Sequence, residues 1–181
     1  MKQHLEIEFK TIITASEYDR ILKHFTFDEE VIQTNTYFDT KERDLYKQGI
    51  MCRIRSFAEH FEFTLKIPQE EGVLEYETQL SDSKIDTEAI HNIVKQFGVS
   101  SDKLVVVAKS NTNRKIHSDV YGQWCLDSNE FSHHDDLELE YELFEANEKA
   151  YPHYLDMLQL LGVEYKHADP KYIRALNSSN Q

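Results

Sequence analysis

The sequence predicts an α+β fold with a mainly antiparallel sheet that can close into a barrel. Apolar residues repeat with a period of two along most of the chain and with a period of about 3.6 in a few shorter segments. The resulting order is a strand, a helix, four strands, a helix, four strands and two helices, and runs of strands punctuated by helices are typical of this class. No interior linker or repeat divides the chain, so we expect a single domain over residues 1–181.

The first strand and helix are defined by local pattern. Residues 5–10 alternate strictly between apolar and charged side chains, which predicts a strand with one apolar and one charged face. Thr14 and Glu17 then have the spacing of a capping box, ahead of a helical stripe from Tyr18 to Phe25. Further strand-like segments follow at residues 31–39, 51–57, 61–67 and 73–80.

The second half of the chain repeats this alternation of helices and strands. A helix is predicted from about Asp86 to Phe97, with Gly98 as its C-terminal cap. A third helix ends at Gly162, and Asp169-Pro170 marks the start of a short last helix. Between the second and third helices, strands are predicted at residues 104–109, 114–120, 123–127 and 137–144.

The composition limits the partners. The chain has 20 Lys+Arg against 33 Asp+Glu, a formal net charge of −13, which disfavours binding to nucleic-acid polymers and anionic membranes. No apolar run approaches the roughly 18 residues of a membrane-spanning helix, and the polar first residues lack a signal-peptide core, so we expect a cytoplasmic protein. Cys52 and Cys125 fit no zinc pattern and are expected to be reduced thiols.

Charged residues lie two apart on one face of five strands. They are Glu6/Glu8/Lys10, Arg53/Arg55, Glu62/Lys66, Glu75/Glu77 and Glu138/Glu140/Glu142. A single strand of this kind usually has one solvated face, but like charges aligned on five strands repel each other unless opposite charges or metal ions lie across from them. If helices cover the apolar faces, the charged faces enclose a polar lumen, and a barrel of about eight strands can hold one small ligand.

A lumen that contains acids and bases together suits a phosphate chain chelated to a divalent metal. Hard cations take carboxylate oxygens, while arginine and lysine bind the remaining phosphate oxygens. Such an arrangement fits phosphoryl transfer, which depends mainly on positioning and charge neutralisation. The sequence contains no glycine-rich phosphate loop, so side chains would have to bind the phosphates.

Several motifs together resemble the CYTH superfamily of triphosphate tunnel metalloenzymes. The N-terminal strand matches the family's ExExK pattern, and the other matches follow in order along nearly the whole chain. They are Glu6-Ile7-Glu8-Phe9-Lys10, Thr36 to Thr40, Leu45, Gly49, Arg53-Ile54-Arg55, Phe63 to Pro68, Glu75-Tyr76-Glu77, Arg114, Leu126-Asp127, Leu137 to Glu140 and Lys171-Tyr172.

The resemblance implies a closed antiparallel eight-stranded barrel, with helices packed outside, that binds a triphosphate with Mg²⁺ or Mn²⁺. The implied phosphate-binding residues are Lys10, Arg53, Arg55, Lys66, Arg114 and Lys171. The implied metal ligands or their supporting residues are Glu6, Glu8, Asp127, Glu138 and Glu140, with Glu75 and Glu77 as weaker candidates in the tunnel. The implied catalytic set is Glu6, Glu8, Lys10 and Lys66.

Some alternatives stay open at this stage. Lys109 or Lys115 can share the role given to Arg114, and the Glu138/Glu140/Glu142 run allows a register slip of two residues. His133-His134-Asp135-Asp136 is interpreted as a solvated loop between two strands rather than a metal site. The oligomeric state, monomer or homodimer, is open.

The leading hypothesis for function is hydrolysis of inorganic triphosphate, or of a small organic one such as thiamine triphosphate, with release of orthophosphate. The rivals are cyclisation of ATP by a class IV adenylate cyclase and non-catalytic binding of polyphosphate or nucleotide.

Overall fold

The computed structural model describes residues 1–180, which form nine strands and four α-helices. The strands are β1 (Lys2–Glu6), β2 (Glu8–Ile13), β3 (Glu29–Asp39), β4 (Met51–Ser56), β5 (Phe61–Pro68), β6 (Val73–Leu80), β7 (Val105–Ser118), β8 (Gly122–Glu130) and β9 (Asp135–Leu143). The helices are α1 (Ala15–His24), α2 (Glu88–Lys95), α3 (Ala150–Leu161) and α4 (Lys171–Ser179). Two 3₁₀ turns lie at Tyr46–Gln48 and Ser101–Lys103.

All nine strands belong to one antiparallel sheet, in the order β1-β6-β5-β4-β3-β7-β8-β9-β2. Its two edge strands, β1 and β2, are separated in sequence only by Ile7. The sheet is therefore curled, because its opposite edges are neighbouring segments of chain. The α+β class and the antiparallel sheet are confirmed, whereas closure into an eight-stranded barrel stays a prediction.

Two strand boundaries differ from expectation. The single N-terminal strand is divided at Ile7, because the chain pairs with β6 before that residue and with β9 after it. Conversely, the two strands expected at residues 104–109 and 114–120 are one long strand, β7, paired with β3 and β8. Polar residues between the two apolar segments were interpreted as a loop, but they continue the ladder.

Helices α1 and α3 cover the apolar face of β2, β8 and β9. Ile21 of α1 and Tyr154 of α3 are fully buried there, together with Trp124 and Tyr141 from the sheet. The capping box of α1 is present, with Thr14 accepting from the Glu17 backbone and the Glu17 carboxylate accepting from the Thr14 backbone. On β4 and β5, α2 buries Ile90 and Val94 against Ile54 and Leu65.

Helix α4 departs from the expected arrangement in which all helices pack outside. Its Tyr172 packs with Tyr37 and Met51, which lie on the same face of the sheet as Arg53. The Tyr37 and Tyr172 rings have centroids 5.0 Å apart. Consequently α4 covers part of the charged face and brings its own side chains into it.

Two smaller findings complete the fold. Cys52 and Cys125 are buried and form no disulfide. Within residues 1–180, none of the helices has the length and apolar character needed to cross a bilayer.

Candidate functional site

A cavity of about 590 Å³ opens on the charged face of the sheet. All but two of the residues that the sequence singled out line it, namely Glu6, Glu8, Lys10, Arg53, Arg55, Lys66, Glu75, Glu77, Arg114, Glu140 and Lys171. The two others, Asp127 and Glu138, are fully buried beside it. The period-two pattern thus brings residues from β1, β2, β4, β5, β6, β7, β8 and β9 to one place.

Strand register explains why these side chains meet. Directly paired residues of antiparallel strands point to the same side of the sheet. Arg114 of β7 is paired with Asp127 of β8, and Asp127 with Glu138 of β9. In the same way Lys10 of β2 is paired with Glu140.

Asp127, Glu138 and Glu140 form a buried carboxylate cluster, in which one oxygen from each residue lies within 4.8 Å of the others. Arg114 donates to both oxygens of Asp127 at 2.8 and 2.7 Å, and to Glu140 at 2.6 Å. The Lys171 ammonium lies 2.7 Å from Asp127, 3.5 Å from Glu138 and 3.9 Å from Glu140. The cluster is therefore neutralised from within by two cations that the resemblance assigned to phosphate.

Arg174 is a further cation of this cluster that the sequence reasoning missed. Its guanidinium donates to Glu138, and to Asp136 at 2.7 Å. It lies three residues after Lys171 on α4, so both side chains leave the same face of the helix. That spacing was the available signal, but it carries meaning only once α4 is known to pack on the charged face.

The carboxylates of the cluster ionise differently. Burial, and next the negative charge of Glu140, raise the pKa of Glu138 to about 8. Burial also acts to raise the pKa of Glu140, but Arg114, Lys171 and Lys10 outweigh it and hold that pKa well below its usual range. The pKa of Asp127 is lowered in the same way by Arg114 and Lys171 against the effect of burial. One carboxyl of the three therefore binds its proton more strongly than the others.

A second group of charges surrounds Lys66 on the opposite part of the cavity. The Lys66 ammonium lies 2.5 Å from Glu6 and 2.6 Å from Glu75. Although burial lowers the pKa of Lys66, these two carboxylates raise it above its ordinary value. His4 lies beside them, with Nε2 3.1 Å from Glu75 and Nδ1 3.8 Å from Glu77.

Glu8 and Glu142 face each other across β2 and β9. Glu8 forms an ion pair with Lys10 at 2.6 Å. Glu142 has no ion-pair partner among residues 1–180, and burial together with the nearby carboxylate of Glu6 raises its pKa to about 7. Glu142 lines the cavity, so the third glutamate of the run belongs to the same face as the first two.

Arg53 and Arg55 differ from the other cations of the cavity, because no carboxylate lies within ion-pair distance of either one in the described part of the chain. Arg53 is 6% exposed and donates only to the Thr64 hydroxyl, at 3.1 Å, while its Nε is buried without a hydrogen-bond partner. Arg55 donates to the Asn35 side chain at 2.9 Å. Burial, and next the charges of Arg53 and Arg114, lower the pKa of Arg55 to about 10. Two cations without counter-ions on a cavity surface make a site for an anion.

The open alternatives for Arg114 and for the histidines are decided by position. Lys115 pairs with Glu30 at 3.2 Å on the other side of β7, and Lys109 is exposed, so neither lines the cavity. His133 and His134 lie in the turn between β8 and β9. Among residues 1–180, neither one takes part in a cluster of three possible metal ligands.

The carboxylate cluster fits a hard divalent cation. It offers only oxygen donors, which Mg²⁺ and Mn²⁺ prefer. Oε1 of Glu138 is buried without a hydrogen-bond partner, so one donor of the cluster is still unused. His4, Glu75 and Glu77 form a second group with ligand atoms within 4.8 Å of one another, with mixed nitrogen and oxygen donors.

Comparison with known proteins places this cavity in a family. The CYTH domain pattern matches residues 4–172. The chain is 28% identical over 156 residues to YjbK of Bacillus subtilis (strain 168), a protein provisionally named a triphosphatase, and the match covers 82% of each chain.

Solved structures with the same fold include a protein of Bacillus halodurans that is provisionally named an adenylate cyclase. It is 26% identical, with a TM-score of 0.86, and the match covers 96% of this chain and 98% of that one. A protein from Hippeastrum, provisionally named an adenylyl cyclase and described as having a dominant triphosphatase activity, is 20% identical with a TM-score of 0.77, over 98% and 96% of the two chains.

Proposed function

The chain belongs to the CYTH domain family, and from that premise we propose that it is a metal-dependent triphosphatase that releases orthophosphate from a triphosphate bound in the cavity. The observation that carries the proposal is the pair Arg53 and Arg55, buried cations without carboxylate partners on the cavity surface. A triphosphate chain would supply the negative charge that these two residues lack. The names of the Bacillus subtilis relative and of the Hippeastrum neighbour agree with this activity.

The proposed division of labour follows the geometry. Arg53 and Arg55 bind phosphate oxygens directly, since they have no competing ion pairs. Lys10, Lys66, Arg114 and Lys171 complete the positive charge around the chain, each of them now held by carboxylates that a substrate would partly replace. The terminal phosphoryl group is then attacked in line by water, and charge neutralisation on its oxygens lowers the barrier.

Asp127, Glu138 and Glu140 would hold Mg²⁺ or Mn²⁺, with Glu6 and Glu8 as further carboxylates of the same surface. When bound, the cation supplies Lewis-acid neutralisation of the phosphate oxygens. The carboxylates orient Arg114 and Lys171 through the ion pairs described above, so they serve the site even before a cation binds. Glu75 positions Lys66 through their contact at 2.6 Å.

The same proposal includes two structural statements. The nine strands would function as a closed tunnel of eight, with β1 and β2 acting as one strand bent at Ile7. Residues 1–181 would make one functional domain, because the cavity draws side chains from β1 to α4.

Glu8 gives the direct test. Purified protein with Mg²⁺ or Mn²⁺ is expected to release phosphate from tripolyphosphate, and chelation of the metal is expected to stop that release. Glu8→Gln removes one carboxylate of the cavity and is expected to lower turnover at least about a hundredfold, since loss of one metal-site contact typically costs ten- to a hundredfold. Thermal unfolding should change little, because Glu8 contacts only Lys10 among the described cations.

The matched control is Glu145→Gln, which removes an exposed carboxylate outside the cavity. It is expected to retain wild-type turnover. Equal turnover by wild type and Glu8→Gln would remove Glu8 from the site. Cyclic AMP and pyrophosphate from ATP, in place of ADP and phosphate, would favour the cyclase instead, and tight binding without any turnover would favour a binding module.

A further inference from the structure

The cavity is chemically divided into a charged interior and an apolar rim. Tyr46, Pro68, Val73 and Ile173, which we call the apolar rim, line the same cavity as the arginines and carboxylates. Tyr46 is 48% exposed although it is a large aromatic side chain. None of the phosphate-binding or metal-binding roles proposed above uses these four residues.

The rim residues lie together at one end of the cavity. Pro68 ends β5 and Val73 begins β6, and Tyr46 belongs to the turn that leads into β4. Since β4, β5 and β6 are antiparallel neighbours, the start of β4, the end of β5 and the start of β6 meet at one edge of the sheet. Ile173 joins them from the first turn of α4.

The rim is held rigidly rather than formed by loose loops. Asp39 is fully buried, and its carboxylate accepts hydrogen bonds from the backbone N–H groups of Leu45 and Tyr46, both at 3.0 Å. Gly49 has a φ of +73°, and a Cβ at this position would lie only 3.2 Å from the Pro68 ring. The turn that carries Tyr46 therefore packs directly on the end of β5.

An exposed aromatic on a rigid support, continuous with a charged interior, is typical of a site that takes an amphipathic small molecule. A bare inorganic triphosphate would fill only the charged interior and leave the rim without a contact. From this we infer that the substrate is a triphosphate ester with a flat organic group, which lies on the apolar rim against Tyr46 while its phosphates reach Arg53 and Arg55. The inference rests on the proposed function and specifies its substrate class.

Equilibrium binding tests the rim without any need for turnover. Calorimetry with Mg²⁺ would compare tripolyphosphate with adenosine β,γ-methylene triphosphate, which carries a ring and resists hydrolysis. Tyr46→Ala is expected to weaken the ring-bearing ligand roughly tenfold relative to tripolyphosphate, the scale of one lost ring–aromatic contact. Tyr165→Ala is the matched control, because Tyr165 is 57% exposed and lies outside the cavity lining. It should leave the ratio of the two dissociation constants unchanged.

Steady-state kinetics extend the test to hydrolysable compounds. The ratio of kcat/KM for the better of ATP and thiamine triphosphate to kcat/KM for tripolyphosphate is expected to fall about tenfold in Tyr46→Ala. An unchanged ratio in both binding and kinetics would overturn the inference. The proposed hydrolysis would still stand if tripolyphosphate were turned over. Conversely, ring-dependent binding without hydrolysis of any of the three compounds would refute the proposed function and leave the rim assignment in place.

Discussion

The two sides of the cavity handle charge in opposite ways. On β8 and β9 each carboxylate of the buried cluster is matched by Arg114, Lys171 or Arg174. On β4, Arg53 and Arg55 have only the neutral partners Thr64 and Asn35. The difference shows that similar alternation of charges along a strand can serve two purposes, since the paired side supports the fold and the unpaired side waits for a ligand.

Cross-strand neighbours produce this difference. Asp127 lies between Arg114 and Glu138 in the sheet, so opposite charges meet by register. Arg53 lies between Tyr37 and Thr64, neither of which is charged. A buried charge without a partner costs free energy unless something else repays it. Substitutions on the two sides should therefore separate binding from stability.

The largest effect is expected for Arg53→Gln. Loss of two charge-assisted hydrogen bonds to phosphate should weaken tripolyphosphate binding roughly a hundredfold. Thermal stability should stay equal or increase, because the substitution removes a buried charge that lacks a counter-ion. Calorimetric titration and thermal unfolding would measure the two quantities in the same preparation.

Arg20→Gln offers a crossed control for that prediction. Arg20 lies outside the cavity lining and donates to the carbonyls of Leu161 and Gly162 at 3.0 and 2.8 Å. We expect it to lose about 1–2 kcal/mol of stability and to keep wild-type binding. If Arg53→Gln proved the less stable of the two variants, the contrast between the two sides of the cavity would be wrong.

The next effect concerns the paired side. Asp127→Asn leaves Arg114 and Lys171 without one of their main counter-ions in a buried position, and removal of one partner of a buried ion pair costs about 3–5 kcal/mol. Urea denaturation of the metal-free protein would detect this loss. A variant as stable as wild type would mean that the cluster contributes nothing to the fold and exists for its ligand alone.

The smallest effect is a pH dependence at Glu142, the unpaired carboxyl on the paired side. Its pKa is about 7 in the folded protein, raised by burial and next by Glu6, against about 4.3 for a free glutamate. The unfolded chain therefore loses this proton first, so the contribution of Glu142 to stability falls as pH rises from about 4.5 to about 7 and is constant above.

Glu142→Gln removes that dependence. Relative to wild type, the variant should gain about 2 kcal/mol of stability at pH 8 and almost nothing near pH 4.5. The free energy of unfolding would be measured at both pH values with a chelator present. A gain of equal size at the two pH values would show that the effect is packing and not titration.

Much of the site could be predicted from sequence because strand alternation is local. Glu6, Glu8 and Lys10 are placed on one face by their spacing alone, and the same holds for Arg53 and Arg55. Helix ends were equally local, as Gly162 adopts a φ of +64° at the end of α3.

Other features depend on contacts between distant segments, and no local pattern reveals them. The break of the N-terminal strand at Ile7 arises from an exchange of partners between β6 and β9, without any glycine or proline to mark it. The position of α4 on the charged face depends on Tyr172 meeting Tyr37. Arg174 could be assigned to the cluster only after that contact was known.

The exchange of partners at Ile7 also bears on how the chain folds. β2 pairs with β9, the last strand in sequence order, and α4 follows only after that strand. Pairing of such distant segments requires a large loss of loop entropy before any contact rewards it, and it slows folding. We therefore expect the hairpins from β4 to β6 and from β7 to β9 to form early, with the N-terminal strand and α4 joining last. The cavity would then come into existence only in the final step of folding, so a partly folded chain would have no site with which to capture a nucleotide or a metal ion.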